Sequence, residues 1–193
     1  MNKIKIIMLF VILVFPVLIY LFLQSFGKNK FAIPVYYEQG VLAKDGCPTL
    51  PNGQPYHVDE AAVNQLLGIS QQQSVSVYEI GNTDTESLKN NLYTFLEKYK
   101  DKKEVQLLSI KALNDTIFTR TRYDAWQRYN LADSNLMRLG RCILHLDLNS
   151  QLKADSGLVL VDQQQQIRGY YDPLELKEID RLNTEIYILL SEQ

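Results

Sequence analysis

The sequence predicts an α/β domain, a mixed central sheet flanked by helices, behind an N-terminal transmembrane helix. Three observations carry this: an uncharged apolar run at the start, an alternation of strand-like and helix-like segments from residue 74 onward, and a hairpin followed by an amphipathic helix at the end. The composition agrees. Of 193 residues, 46% are hydrophobic and 22% charged, the balance of an ordinary folded protein rather than a disordered or collagen-like one. A formal net charge of -2 argues against a nucleic-acid binder, which carries a basic stripe.

The apolar run extends without a charge from Ile6 to Leu23, with Lys3 and Lys5 before it and Lys28 and Lys30 after it. A bilayer-spanning helix needs roughly 17–25 apolar residues, which this run just supplies. Pro16 is tolerated inside a membrane span. A cleaved signal peptide would end in a small-residue site. The exit here reads LQSFGKNK, so residues 1–27 are read as a retained anchor. The lysines on the two sides balance. The short leading tail and signal-like start favour an N-terminus inside and a body outside the cytoplasm, on the periplasmic side.

Residues 28–73 read as a proline-rich extended or loop segment, punctuated by Pro34, Pro48, Pro51 and Pro55. Residues 74–193 form the predicted domain. Ser74–Ile80 alternates polar and apolar residues and reads as a strand. Gly81-Asn82 ends it, and Thr83-Asp84-Thr85-Glu86 has the spacing of a helix start. Leu88, Leu92, Phe95, Leu96 and Tyr99 then share one helical face. Val105–Ile110 is a strand buried on both sides. A helix is expected around Thr121–Tyr129, with Ala125, Trp126 and Tyr129 inward, then a short strand over Leu136–Leu139 ending at Gly140. Gly157–Asp162 and Ile167–Tyr171 form a hairpin tipped by Gln163–Gln166, and Asp172-Pro173 opens a last helix with Leu176, Ile179, Leu182, Ile186 and Leu189 as its stripe. A βαβ start with parallel strands, an antiparallel hairpin and a closing helix is the thioredoxin-like arrangement.

The tail GLVLVDQQQQIRGYYDPLELKEIDRLNTEIYILL closely resembles the end of Sco/SenC proteins, in which a strand ending in L-V-D is followed by a turn, I-R-G-Y-Y-D and an acidic-leucine helix. Leu107–Ile110, Asp115-Thr116 and Leu139-Gly140 follow in the family's order. The resemblance implies a membrane-anchored thioredoxin-like protein facing out of the cytoplasm. It also implies copper delivery to cytochrome c oxidase, or reduction of that enzyme's copper-site cysteines. The ligands it implies are a C-x-x-x-C after the first core strand and a histidine shortly before the L-V-D strand. Thiolates with an imidazole suit copper, and the thiols also exchange disulfides.

This chain departs at all three ligands. Ile80–Glu86 contains no cysteine, and Lys153, Ala154, Asp155 and Ser156 stand where the histidine would be. No catalytic, cofactor-binding or metal-ligating residue is therefore assigned, and no cofactor and no enzymatic activity are expected. The remaining candidates for a rebuilt site are Cys47, Cys142, His57, His145 and Met137. Cys47 and Cys142 are either a structural disulfide or separate thiols, a choice that turns on a distance the sequence does not contain. Cys142 and His145 would share a face on a helix but not on a strand. Thr83, Asp84 and Thr85 are read as helix capping rather than catalysis. Three readings stand: a non-catalytic assembly or binding partner in the envelope, a copper or thiol-redox protein built on Cys47 and Cys142, and an envelope interaction protein unrelated to the oxidase. Tyr36-Tyr37 and Tyr170-Tyr171 are candidate partner surfaces.

Overall fold

The structure, a computed structural model, describes residues 3–26, 33–42, 44–48, 53–70, 73–81, 85–113, 123–154 and 157–191. The chain forms two compact units, Met1–Ala32 and Ile33–Gln193. The first is a helix, α1, Lys3–Phe26, whose stretch Lys3–Phe22 has a mean hydropathy of 2.8 and is long and apolar enough to cross a membrane. Its described side chains lie open, as lipid contact would require.

In the second unit the elements are α2 Glu60–Leu67, β1 Val75–Ile80, α3 Glu86–Tyr99, β2 Val105–Ala112, β3 Trp126–Leu131, α4 Asp133–Met137, a π-helical turn Arg138–Ile143, β4 Leu158–Val161, β5 Ile167–Tyr171 and α5 Leu176–Ser191. The strands form one five-stranded sheet in the order β3-β2-β1-β4-β5. β1, β2 and β3 run parallel, while β4 runs antiparallel to both β1 and β5. Every residue of β1 and of β4 is buried, because helices or loops cover both faces of the central strands.

Alternation along the strands sends side chains to two cores. Val75, Val77, Val105, Leu107, Leu158 and Leu160 meet α3 and α5 on one face. Tyr78, Ile80, Leu108, Ile110, Val159 and Val161 meet α2, α4, the π-helical turn and the segment carrying Tyr56 and Val58 on the other. Helix α3 packs with the predicted face, since Leu88, Leu92, Phe95, Leu96 and Tyr99 are all buried. In α5, Ile179, Leu182, Ile186 and Leu189 are buried as expected. Leu176 is 55% exposed, because the helix starts there and not at Pro173.

Four expectations are corrected. The helix around Thr121–Tyr129 is instead β3 over Trp126–Leu131, paired in parallel with β2 from Leu107↔Trp126 to Ala112↔Leu131. The strand over Leu136–Leu139 is instead the end of α4 and the π-helical turn, which buries Leu136, Leu139 and Ile143 at helical spacing. The segment 28–73 contains helix α2, capped by the Asp59 side chain at Ala62 N and closed by Gly68 in the left-handed region at φ +69°. Within α3, the capping residue is Thr85, two positions after the capping-box start read from Thr83.

Candidate functional site

Two places could carry chemistry: the end of β1, where the resemblance puts its ligands, and the face that holds the cysteines.

At the end of β1 the chain turns through Gly81 at φ +73°, a conformation that glycine adopts without strain. A Cβ there would stand 2.1 Å from the Leu152 carbonyl oxygen and 3.2 Å from Lys153 Cα. The segment before β4 therefore lies directly on the turn after β1. It is held by Asn149, whose side-chain oxygen accepts from Gln151 N at 2.9 Å and from Lys153 N at 3.0 Å. The Thr85 hydroxyl oxygen accepts from Leu88 N at 3.1 Å and satisfies the first turn of α3. The two ligand positions of the resemblance are thus neighbours in space. Their described residues are Gly81, Thr85 and Glu86 on one side and Leu152, Lys153 and Ala154 on the other, none of them a soft ligand. Asn82, Thr83, Asp84, Asp155 and Ser156 lie outside the described residues.

On the sheet face toward α3 and α5, the carboxyl ends of β1, β2 and β3 are polar. Glu79 and Lys111 form a buried ion pair at 2.7 Å. The indole of Trp126 donates to Ser109 Oγ at 2.8 Å, and the Arg128 guanidinium lies 4.0 Å over its ring. Sequence reasoning singled out neither Glu79 nor Lys111. The only signal was a charge inside each apolar strand. A cavity of about 650 Å³ opens between α3 and α5, lined by Lys98, Tyr99, Lys102, Asp180, Asn183 and Tyr187 among others. Burial pushes the Tyr99 phenol up to about 12, and its hydroxyl donates to the Asn183 carbonyl at 2.9 Å.

The cysteines sit on the opposite face and form a disulfide, Cys47–Cys142, with their Cα atoms 5.3 Å apart. Cys142 belongs to the π-helical turn, where Leu144 N donates to Leu139 O at 2.9 Å. His145 follows in the left-handed region at φ +53°. Its ring packs edge-on to Tyr56 at 4.4 Å and against Tyr37 at 5.0 Å, and it is 7% exposed. Neither ring nitrogen has a hydrogen-bond partner among the described residues. Burial, with Lys44 nearby, lowers its pKa to about 4, so it is neutral at pH 7. The Tyr56 hydroxyl donates to Ile143 O at 2.7 Å, and that of Tyr170 to Leu144 O at 2.9 Å. Burial holds both phenols far above their ordinary range.

Of the candidates, Cys47 and Cys142 come together, and His145 lies three residues beyond Cys142. His145 is buried, covered by the strap of chain bearing Tyr37 and Tyr56. His57 stays at the surface, its Nδ1 2.8 Å from the Gln164 carbonyl at the hairpin tip. Met137 lies half-buried in α4. Among the described residues no three histidine, cysteine or acidic side chains are placed to hold a metal. Tyr36, Tyr37 and Tyr170 are in mutual ring or hydroxyl contact, whereas Tyr171 faces the other core and donates to Glu185.

Three parallel strands, an antiparallel β4-β5 hairpin and helices on both faces make this a thioredoxin-like domain following an apolar helix. Solved structures similar to it include a SCO1/SenC family lipoprotein from Bacillus anthracis, at 14% identity and a TM-score of 0.48, covering 72% of this chain and 88% of that one. BsSco, a member of the Sco family of cytochrome c oxidase assembly proteins, is similar at 13% identity and a TM-score of 0.47, covering 60% and 80%. Trgpx in its apo form is similar at 10% identity and a TM-score of 0.40, covering 82% and 97%. No family model and no curated protein matches the sequence.

Proposed function

We propose that this chain is a membrane-anchored, extracytoplasmic, non-catalytic thioredoxin-like module that acts by binding a protein partner in the cell envelope. The carrying observation is the turn after β1. There the Leu152 carbonyl fills the space a side chain on Gly81 would need, and Thr85 caps the helix. A disulfide between the only two cysteines fits a domain folded in an oxidising compartment. The sequence resemblance to Sco/SenC proteins makes assembly of a respiratory oxidase the setting to test first.

The test has two arms. The full chain is titrated with Cu(I) under reducing conditions against a competing chelator, and it is isolated from its native membranes after mild cross-linking. The reading expects no tight copper binding and recovery of one defined envelope partner. Oxidase subunits in that complex support the assembly role, and their absence supports an unrelated envelope partner. A second reading, a thiol-redox or copper protein using Cys47 and Cys142, draws on the half-buried position of both cysteines. One-to-one Cu(I) binding that disappears in Cys142→Ser would replace the first reading with the second.

A further inference from the structure

We infer that His145 is an acid-sensitive latch for the strap formed by residues 33–42 and 53–58, with the Cys47–Cys142 disulfide as the restraint that limits how far the strap opens. The inference goes beyond the binding role, since it concerns when this face is open, whatever the domain binds.

The strap is one folded unit. Its two stretches pair through Tyr56 N to Tyr37 O at 3.1 Å, and the pair is laid on the hairpin by Tyr36 N to Ile167 O at 2.9 Å and Val58 N to Gln165 O at 2.7 Å. Its underside meets His145. Both aromatic rings against the imidazole, Tyr37 and Tyr56, come from the strap, and Lys44, from the chain between its two stretches, donates its ammonium to the His145 carbonyl at 3.5 Å. From β5, the Tyr170 hydroxyl closes the rim, in contact with Leu144 O and the Tyr37 hydroxyl. From the loop itself, Asp147 pairs with Lys44 at 3.6 Å and is fully exposed.

The titratable and charged groups facing His145 are therefore three phenols and one ammonium, with Asp147 spent on the ammonium. Among the described residues no carboxylate or other acceptor reaches the ring nitrogens to stabilise an imidazolium. The ring would carry its charge without an acceptor and next to a like charge, whereas in water it would be solvated. Two independent features mark the site as held shut: both ring nitrogens lack partners among the described residues, and the residue sits at φ +53° without being a glycine. Proton uptake must then favour the open strap, which bares the apolar turn Ile143–Leu146. Cys47, in the chain between the strap's two stretches, is tied to Cys142, so the oxidised protein opens less.

Hydrogen exchange on the full chain in lipid nanodiscs tests this, with rates corrected for intrinsic pH dependence. The strap amides of Tyr36, Tyr56 and Val58 are compared with those of β1 and β2 at about pH 7.5 and about pH 5. With a free histidine near 6.5 and His145 near 4, the strap's opening constant rises about 30-fold at the lower pH in the reduced protein. In the oxidised protein the opening constant is several-fold lower at both pH values, and the sheet amides do not change. His145→Leu removes the pH dependence; should that variant misfold, His145→Gln serves instead. Strap protection that is flat with pH overturns the latch, as does an equal loss in the variant or a loss shared by β1 and β2. An equal opening constant in oxidised and reduced protein at the same pH overturns the restraint.

Discussion

Replacing Gly81 with alanine tests whether the turn after β1 is closed as described. The left-handed conformation costs a residue with a Cβ about 1–2 kcal/mol. The added carbon would lie 2.1 Å from the Leu152 carbonyl oxygen, so that oxygen must retreat by roughly 1 Å to reach an ordinary contact. It cannot retreat alone. Leu152 N donates to Asn149 O at 3.0 Å and Asn149 N to Lys153 O at 2.9 Å, so the shift costs about one hydrogen bond, near 1 kcal/mol. The sum is about 2–3 kcal/mol. With a urea slope of about 2 kcal/mol per molar, the unfolding midpoint falls by about 1–1.5 M. Gly81→Asn separates the causes, since asparagine tolerates the left-handed region but still carries a Cβ. Closure predicts that asparagine still loses the packing part, about 1 kcal/mol, while alanine loses both parts. A total loss for alanine no larger than the strain, about 1–2 kcal/mol, would refute the packing. Near-full recovery with asparagine would leave only backbone strain.

Three further outcomes follow from the same structure. Cys142→Ser removes a cross-link spanning 95 residues and should lower stability by about 3 kcal/mol against the oxidised protein, but not against the reduced one, as read by denaturation with and without reductant. Arg168 bridges Asp162 at 2.8 Å and the Ile33 carbonyl at 2.9 Å, so Arg168→Ala strands a buried carboxylate and should cost about 3 kcal/mol in the same assay. Global stability should also depend on pH through His145. Its folded pKa, about 4, lies below the unfolded value near 6.5, so the unfolded chain binds the proton first. The contribution is whole above about pH 6.5 and is lost as pH falls toward 4, amounting to about 2 kcal/mol by pH 5, and His145→Leu should flatten that part of the curve.

The sheet's central strands, the hairpin, α3 and α5 were legible because their signals are local: apolar runs, a polar tip and repeated helical spacing. The misread elements had competing local signals. Ala125, Trp126 and Tyr129 fit a helical face, yet pairing with β2 decides the matter in favour of a strand with Trp126 and Leu131 buried at its ends. Leu136, Leu139 and Ile143 had the helical spacing in view, and Gly140 was read as a strand end. Its lack of a side chain instead lets Leu148 approach, as a Cβ there would lie 2.5 Å from Leu148 Cδ1. Helix α2 was announced by Asp59 and Gly68, but the prolines before it drew the whole segment into the loop class. His145 was not legible at all, because its cover comes from residues about 90 to 110 positions earlier.

Fold and chemistry are separable in this chain because different residues hold them. The two cores rest on strand alternation and helix faces, and no member of either core is a candidate ligand. The loop ends, where a thioredoxin-like sheet offers reactive side chains, are satisfied here by local backbone bonding: Gly81 beneath Leu152, Thr85 on Leu88, and Asn149 across its own turn. Such closure lowers the free energy of the folded loop at the described residues. On the other face the balance is reversed. His145 is buried with its hydrogen-bonding capacity unused, in a strained backbone, beneath a strap fastened by the disulfide. A site that stores cost is the one that can be driven by a proton or a reductant. The latch inferred above draws on the cost stored at the face bearing Cys142 and His145.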